Sequence, residues 1–170
     1  MTSPDPWCAT SDDNTLVSPD GLCRVRYEKL SEFRMSSPLG GDCYIDTYLS
    51  KLDLDKETQG APDTTFKIPS FVGYPACWQV DGRKIAIPLW NIIQNNDPEE
   101  SQTIFQRLGI VDMNENTLTI YKQEFRVLHI KAFIGTKVEG VDSPIHDSKD
   151  FVFDIENEDV VSVVPLDKIN

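Results

Sequence analysis

The sequence lacks the local patterns on which most catalytic and cofactor-binding sites depend. It has no glycine-rich phosphate loop of the GxGxxG or GxxxxGK[ST] type and no GxSxG nucleophile elbow. It contains two histidines, and its four cysteines form no CxxC pair, which argues against a zinc ribbon or a redox motif. These absences predict a protein that is not an enzyme and that binds neither a cofactor nor a metal.

Long apolar runs and an excess of basic residues are also missing. The longest apolar stretches, residues 85–89 and 160–164, are far shorter than the ~20 residues that a membrane-spanning helix needs. The 170 residues carry 28 acidic and 16 basic side chains, a net charge of −12, which disfavours nucleic acids and anionic membranes as partners. The N-terminus shows no secretory signal, so we expect a cytoplasmic protein with a basic protein partner.

What the sequence does contain is a succession of short strand signals. Runs of β-branched and aromatic residues alternate with turn residues, which predicts a mainly β fold of antiparallel sheets. The turns 18–21 and 81–82 both contain Asp-Gly, and Pro19 and Gly21 suit the first of them. We expect an N-terminal arm over residues 1–14 and a single β domain over 15–170 with a degenerate internal repeat.

The pattern also predicts the individual elements. A helix is expected over residues 98–107, because Asp97 is a good N-cap and Pro98 suits the first helical position. Breaks are expected at Gly135, Gly140 and 142–144. Strands are expected over 23–30, 32–35, 43–49, 76–80, 83–90, 117–121, 125–134, 151–155 and 160–164.

One hairpin signal resembles a known repeat family. Residues 77–86, Cys-Trp-Gln-Val-Asp-Gly-Arg-Lys-Ile-Ala, are similar to the opening motif of a blade in WD40-like and TolB-like β-propellers. The resemblance extends over residues 15–49 and 75–122. A closed propeller of four blades at about 40 residues each would leave no room for the long loops. The resemblance therefore implies a blade-like partial propeller or a twisted sandwich, with at most one short helix.

Few residues are candidates for chemistry. His129 lies in a strand pattern and is expected to pack on the sheet, whereas His146 lies in a polar loop beside Asp147, which could orient it as a base. Cys23 and Cys43 lie in alternating apolar segments and are expected to be buried thiols, with two disulfides as the alternative if the protein is exported.

The strongest signal unrelated to folding is a cluster of acidic residues. Residues 139–159 contain eight acids and one base, Lys149, a net charge of −7. The choice is between a well-hydrated surface and a binding face for a cationic protein. The binding interpretation predicts an aromatic anchor among Tyr44, Tyr48, Trp90 and Tyr121. Its predicted partner-binding residues are Asp142, Asp147, Asp150, Asp154, Glu156, Glu158 and Asp159.

A second resemblance gives this acidic surface a function. Segments 18–21 and 34–44, together with the small size, acidity and β-rich pattern, are similar to the immunity proteins of bacterial toxin systems. The resemblance implies a non-enzymatic inhibitor whose partner is a basic toxin domain. Two alternatives stay open: a propeller-like scaffold or regulatory module that binds a peptide along an edge strand, and a hydrolase that uses His146.

Overall fold

The computed structural model describes residues 5–8, 16–32, 37–53, 60–93 and 103–169. These residues form a mainly β structure of two antiparallel sheets, which confirms the predicted fold class. The described residues include no α-helix, and so none that is long and apolar enough to cross a membrane. The strands are β1 Cys23–Glu32, β2 Leu39–Thr47, β3 Thr64–Lys67, β4 Val72–Gly73, β5 Cys77–Trp78, β6 Lys84–Ile93, β7 Thr103–Asp112, β8 Thr117–Phe125, β9 Leu128–Ile134, β10 Lys137–Asp142, β11 Lys149–Asp154, β12 Val160–Pro165 and β13 Asp167–Lys168.

Ten of the strands form one curled sheet. Their order is β12-β8-β7-β6-β4-β2-β3-β13, with β1 paired to β2 and β5 paired to β6. Strands β12 and β13 lie at opposite ends of this order, yet only Leu166 separates them in the chain. The Leu166 N–H donates to the Asn116 carbonyl at 2.9 Å, and the Ile169 N–H donates to the Thr65 carbonyl at 3.1 Å. The last segment of the chain therefore ties the two ends of the sheet together.

The curled sheet encloses a first apolar core. On β6, Ile85, Ile87 and Leu89 are at most 1 % exposed and belong to this core, while Ala86 belongs to a second cluster on the opposite face. Two buried faces explain why β6 is an almost continuous apolar run rather than an alternating one. The other core members are Leu16, Cys23, Val25, Cys43, Ile45, Ile68, Val72, Ala76, Trp78, Val111, Met113, Leu118 and Leu166.

A three-stranded sheet, in the order β11-β10-β9, covers the other face of β6, β7 and β8. Phe133, Val138 and Phe153 from this sheet share the second apolar core with Leu108 and Ile110 from β7. A backbone hydrogen bond also joins the two sheets, from the Val80 N–H to the Phe133 carbonyl at 2.9 Å. Two antiparallel sheets packed face to face make this half of the chain a sandwich.

Both predicted Asp-Gly hairpins are confirmed. In the first, the Gly21 N–H donates to the Ser18 carbonyl at 2.9 Å, and Gly21 has the expected positive φ, 73°. Asp20 accepts hydrogen bonds from the Ser18 hydroxyl and the Leu22 N–H, which fixes the turn. In the second, β5 pairs with β6 across residues 79–83. Turn chemistry alone therefore defines these two reversals of the chain.

The predicted N-terminal arm is described only at residues 5–8. There Pro6 is buried, and its carbonyl accepts a hydrogen bond from the Leu39 N–H at 2.7 Å, at the start of β2. Trp7 lies against the loop that contains His146. The rest of the arm, and residues 33–35 of the predicted strand 32–35, lie outside the described residues.

Two predicted elements are wrong. Residues 103–107 of the expected helix belong to β7, where Arg107 pairs with Leu89 and Thr103 with Ile93, and residues 98–102 lie outside the described residues. Pairing with β6 gives this segment its backbone hydrogen bonds, which overrides the local helix-start signal. The single strand expected over 125–134 is interrupted at Arg126 and Val127, whose N–H groups donate to the Asp142 carboxylate instead of to a neighbouring strand.

Gly140 does not break a strand as the sequence predicted. It lies within β10, directly after a β-bulge in the pairing with β9. A Cβ atom at this position would lie 2.1 Å from the His129 carbonyl oxygen and 3.0 Å from the Phe151 ring. Glycine is therefore required here for the close approach of two strands and not for a turn.

Replacing Gly140 by alanine should destabilise the fold. The contact with backbone forces β9 and β10 apart, and we expect the free energy of unfolding to fall by about 1–3 kcal/mol. The matched control is Gly60→Ala, because a Cβ at Gly60 meets nothing within 4 Å. Urea denaturation of both variants measures the difference, and equal midpoints would contradict the packing role of Gly140.

Candidate protein-binding face

The three-stranded sheet has one buried face and one exposed face. On the buried face, Phe133, Val138 and Phe153 lie opposite one another across β9, β10 and β11 and are at most 2 % exposed. Because side chains alternate along a strand, their neighbours point away from the core. We call the nine residues on that side the outer face; its cross-strand rows are Ile134, Lys137 and Asp154, then Ala132, Glu139 and Val152, then His129, Val141 and Asp150.

The outer face exposes large apolar side chains. Val152 is 64 % exposed and Ile134 is 60 % exposed. Val80, which is 54 % exposed, forms a parallel bridge with Ile134, so the apolar surface continues onto the turn between β5 and β6. Exposed apolar residues that are grouped in this way are typical of interaction sites, whereas isolated ones are ordinary.

Acidic residues concentrate on one side of the outer face, along β11. Asp150 and Asp154 flank Val152 on this strand, and Glu139 lies opposite Val152 on β10. Residues 147–159 contain six acids and a single base. Lys137 pairs with Asp154 in the first row, so the negative charge is least compensated at Asp150 and Glu139. The outer face therefore has an apolar side on β9, with Ala132, Ile134 and the adjoining Val80, and an acidic side in which Glu139, Asp150 and Asp154 surround Val152.

The seven predicted partner-binding acids take different positions. Asp150 and Asp154 lie on the outer face. Asp147 is exposed in the loop between β10 and β11, in the left-handed region with φ 49°. Glu156, Glu158 and Asp159 are exposed in the turn that connects β11 to β12.

Asp142 has a structural role. Its Oδ1 accepts hydrogen bonds from the N–H groups of Arg126 and Val127, at 3.0 and 3.2 Å, and from the Ser143 hydroxyl at 3.2 Å. The carboxylate thereby holds the turn that enters β9, and this explains an acid at the end of β10.

Asp154 combines a half-buried position on the outer face with a local role. Hydrogen bonding from the Glu156 N–H, at 3.1 Å, lowers the pKa of Asp154, and the Asn157 side chain, which donates at 2.9 Å, contributes in the same direction. Both bonds favour the charged form, so Asp154 is an anion at neutral pH. The same bonds stabilise the turn after β11, which makes Asp150 the cleaner position at which to change charge.

The aromatic residues predicted as anchors lie elsewhere, and two of them are buried. Trp90 is 7 % exposed and donates to the Leu39 carbonyl, while Tyr121 is 4 % exposed and donates to the Ile155 carbonyl at 2.8 Å. Both belong to the folded core, so their prediction as anchors is wrong. Tyr44 is half-buried on β2 under Arg26, and Tyr48 borders a separate cleft of about 360 Å³.

The two histidines lie in different environments. His129 is half-buried on β9, as its strand pattern predicted. His146 is exposed and borders a cleft of about 70 Å³ that Trp7, Ile145 and Ser143 also line. The Ser143 hydroxyl donates to Asp142 rather than to an imidazole nitrogen.

Three of the four cysteines are buried or half-buried, and Cys8 is exposed. Cys23 and Cys43 are fully buried, as predicted, and burial raises the pKa of the Cys43 thiol far above its usual range. Burial also raises the pKa of Cys77 to about 11, which keeps this thiol protonated and unreactive at neutral pH. Within the described segments the four thiols are free, and no group of His, Cys, Asp and Glu side chains is arranged to hold a metal ion.

The apolar half of the outer face was missed by the sequence reasoning. The signal that could have found it is the alternation Asp150-Phe151-Val152-Phe153-Asp154, in which two phenylalanines occupy one face and leave a valine between two acids on the other. Ile134 gave no comparable signal, because only the pairing of β9 with β10 places it in this surface.

No protein-family model, no curated protein and no solved structure matches this chain. The similarities to immunity proteins and propeller blades therefore depend on the quoted segments alone.

Proposed function

We propose that the chain is a non-enzymatic binding protein that neutralises a basic protein partner, as an immunity protein neutralises its cognate bacterial toxin. The outer face is the contact surface. The observation that carries this proposal is that exposed Val152 lies among Glu139, Asp150 and Asp154, while exposed Ile134 lies on β9 of the same face. Partner surfaces commonly combine apolar contact area with polar and charged residues around it.

The two parts of the face have different roles. The apolar side chains of Val152, Ile134 and Val80 supply area that is removed from water on binding. The acids attract a cationic partner and reject an anionic one, and exposed charges of this kind act mainly on the association rate and its salt dependence. A net charge of −12 adds a long-range attraction that ~1 M salt screens almost completely.

Charge reversal on the outer face should weaken binding of the partner. The tagged protein captures partners from a lysate of its source cells, with elution by increasing salt. The test variant is Glu139→Lys/Asp150→Lys. The matched control is Glu115→Lys/Asp167→Lys, which changes the net charge equally at the exposed turn between β7 and β8 and on β13. We expect the purified partner to bind the test variant at least ten-fold more weakly, about 1.4 kcal/mol or more, and to bind the control within about three-fold of the unmodified chain.

Three results support the proposal together: the captured protein is basic, the unmodified chain inhibits its activity at a one-to-one ratio, and only the test variant fails to do so. Equal losses in both variants would show that net charge, and not the outer face, controls binding. Capture of no basic protein at any salt concentration would overturn the proposal.

A further inference from the structure

In the part of the chain that the structure describes, no strand pairs with the edge of β11 that faces away from β10; at its end, the Asp154 carbonyl accepts a hydrogen bond from the Asn157 N–H at 3.1 Å. Among the described residues, β11 pairs with β10 alone. The Ile155 N–H donates to the Thr136 carbonyl at 2.9 Å, which sets the phase of hydrogen bonding between the two strands. In an antiparallel pair the bonded residues alternate, so the backbone groups of Phe151 and Phe153 point toward β10. The backbone N–H and C=O groups of Asp150 and Val152 therefore point toward the unpaired edge of β11.

The same strand presents its acids in a regular pattern. The side chains of Asp150, Val152 and Asp154 occupy consecutive positions on the outer face. The two aspartates are four residues apart, a rise of about 13 Å along the strand. Residues that lie opposite each other on paired strands have their side chains on the same face. A strand added to β11 would therefore place every second side chain beside an acid or beside Val152.

We propose that the basic partner binds by adding an extended segment to the free edge of β11, as a fourth strand of this sheet; this inference rests on the proposed function. The segment has the pattern basic-x-apolar-x-basic, with Lys or Arg beside Asp150 and Asp154 and the apolar residue beside Val152. The pattern is the same in either chain direction. Backbone hydrogen bonds supply general affinity for an extended chain, and the alternating side chains supply specificity.

The surrounding charges favour this occupant over other strands. Lys149, at the start of β11, is the only base between residues 147 and 159, whereas acids follow the strand in the turn at Glu156, Glu158 and Asp159. The free edge of β12 has valines and no charged residue, so it lacks features that would select a basic segment. A segment with acids at the alternating positions would meet like charges at Asp150 and Asp154.

Proline at position 152 tests the inference directly. Because the Val152 N–H points away from β10, Val152→Pro removes an edge donor without removing a bond inside the sheet, and proline is tolerated on such edges. The matched control is Val152→Ala, which loses apolar side chain but keeps the N–H. The probe is a fluorescent peptide that contains Arg-Thr-Val-Thr-Arg between flanking threonines, and its binding to the full chain is followed by anisotropy.

We expect Val152→Pro to weaken peptide binding at least ten-fold and Val152→Ala to weaken it less than about three-fold. A peptide of the same composition with adjacent arginines should bind at least ten-fold more weakly than the alternating one. Strand addition would be overturned if Val152→Pro and Val152→Ala weakened peptide binding equally. It would also be overturned if no binding were seen at about 1 mM peptide. If Val152→Pro does not fold, N-methylation of the valine in the peptide replaces it, and undiminished binding of the methylated peptide overturns the inference.

The two proposals fail in different ways. A captured basic partner that is sensitive to Asp150→Lys but binds Val152→Pro normally leaves the proposed function standing and overturns strand addition. A peptide that binds with the expected proline sensitivity, in a protein that captures no basic partner, confirms the edge site and overturns the proposed function.

Discussion

Phe133→Ala is expected to lower the free energy of unfolding by about 3–5 kcal/mol, while Ile134→Ala changes it by less than about 0.5 kcal/mol. The two residues are neighbours on β9 but lie on opposite faces of the three-stranded sheet. Phe133 is fully buried in the second apolar core, so its truncation leaves a cavity between the two sheets. Ile134 is 60 % exposed and loses little on truncation.

The variant that keeps its stability should be the one that loses affinity for the partner. Ile134→Ala removes apolar area from the outer face and should weaken partner binding about ten-fold, with normal stability. Unfolding in urea, followed by the fluorescence of buried Trp78 and Trp90, measures stability, and titration calorimetry with the captured partner measures affinity. Loss of stability in both variants would mean that Ile134 also belongs to the core. Unchanged affinity in Ile134→Ala would remove β9 from the interface.

Local chemistry explains which parts of the fold were predictable. The turn at Pro19 and Gly21 and the turn at 81–82 are determined within a few residues, and the structure has both. Gly140 carries no such local information, because its small size is required by β9, which approaches it only after the sheet has formed. The predicted helix at 98–107 fails for a similar reason: pairing with β6 decides the structure of residues 103–107.

Burial of the aromatic residues was unpredictable for a related reason. β6 is covered on one side by the first core and on the other by the three-stranded sheet, so its apolar residues have no exposed face to be assigned to. Trp90 is buried instead against β2 and β4, where a Cβ added at Gly40 or Gly73 would meet its ring, and these contacts join residues far apart in the chain. Tyr121 is buried because β9–β11 fold back over β8, which joins residues far apart in the chain.

The candidate site was predictable in its charge and not in its shape. The distribution of acids along the sequence reveals the cluster between residues 139 and 159. Sequence distance does not reveal that Glu139 lies opposite Val152, or that Val80 adjoins Ile134. Conversely, the sequence treats Asp142 like the other acids, although three hydrogen bonds give it a structural role.

A second acidic residue with a structural role is Asp46, in the centre of the curled sheet. It pairs directly with Arg24 on β1 and with Thr65 on β3, and its side chain is 2 % exposed. The Arg26 Nε donates to its carboxylate at 3.0 Å, and the Thr65 hydroxyl donates at 2.9 Å. The second guanidinium, of Arg24, lies 3.5 Å away. The Asp46 carboxylate on β2 therefore accepts hydrogen bonds from side chains of two other strands: β1, which supplies both arginines, and β3, which supplies Thr65.

Asp46→Ala should lower the free energy of unfolding by about 2–3 kcal/mol, because it leaves two arginines and a buried hydroxyl without their acceptor. The expected loss of stability is smaller than for a fully buried ion pair, because the arginine side chains are 25 % and 33 % exposed and water compensates part of the lost interaction. Asp46→Asn, which keeps an acceptor for Thr65, should fall between the alanine variant and the unmodified chain.

The matched control is Glu28→Ala, which removes the other carboxylate bound to Arg26. Glu28 is 48 % exposed, so the loss should stay below about 1 kcal/mol. Urea denaturation of the three variants separates the contributions. Equal losses for Asp46→Ala and Glu28→Ala would mean that burial adds nothing to this ion pair. The expected order instead makes Asp46 the residue that holds β1, β2 and β3 together on the surface that the three-stranded sheet does not cover.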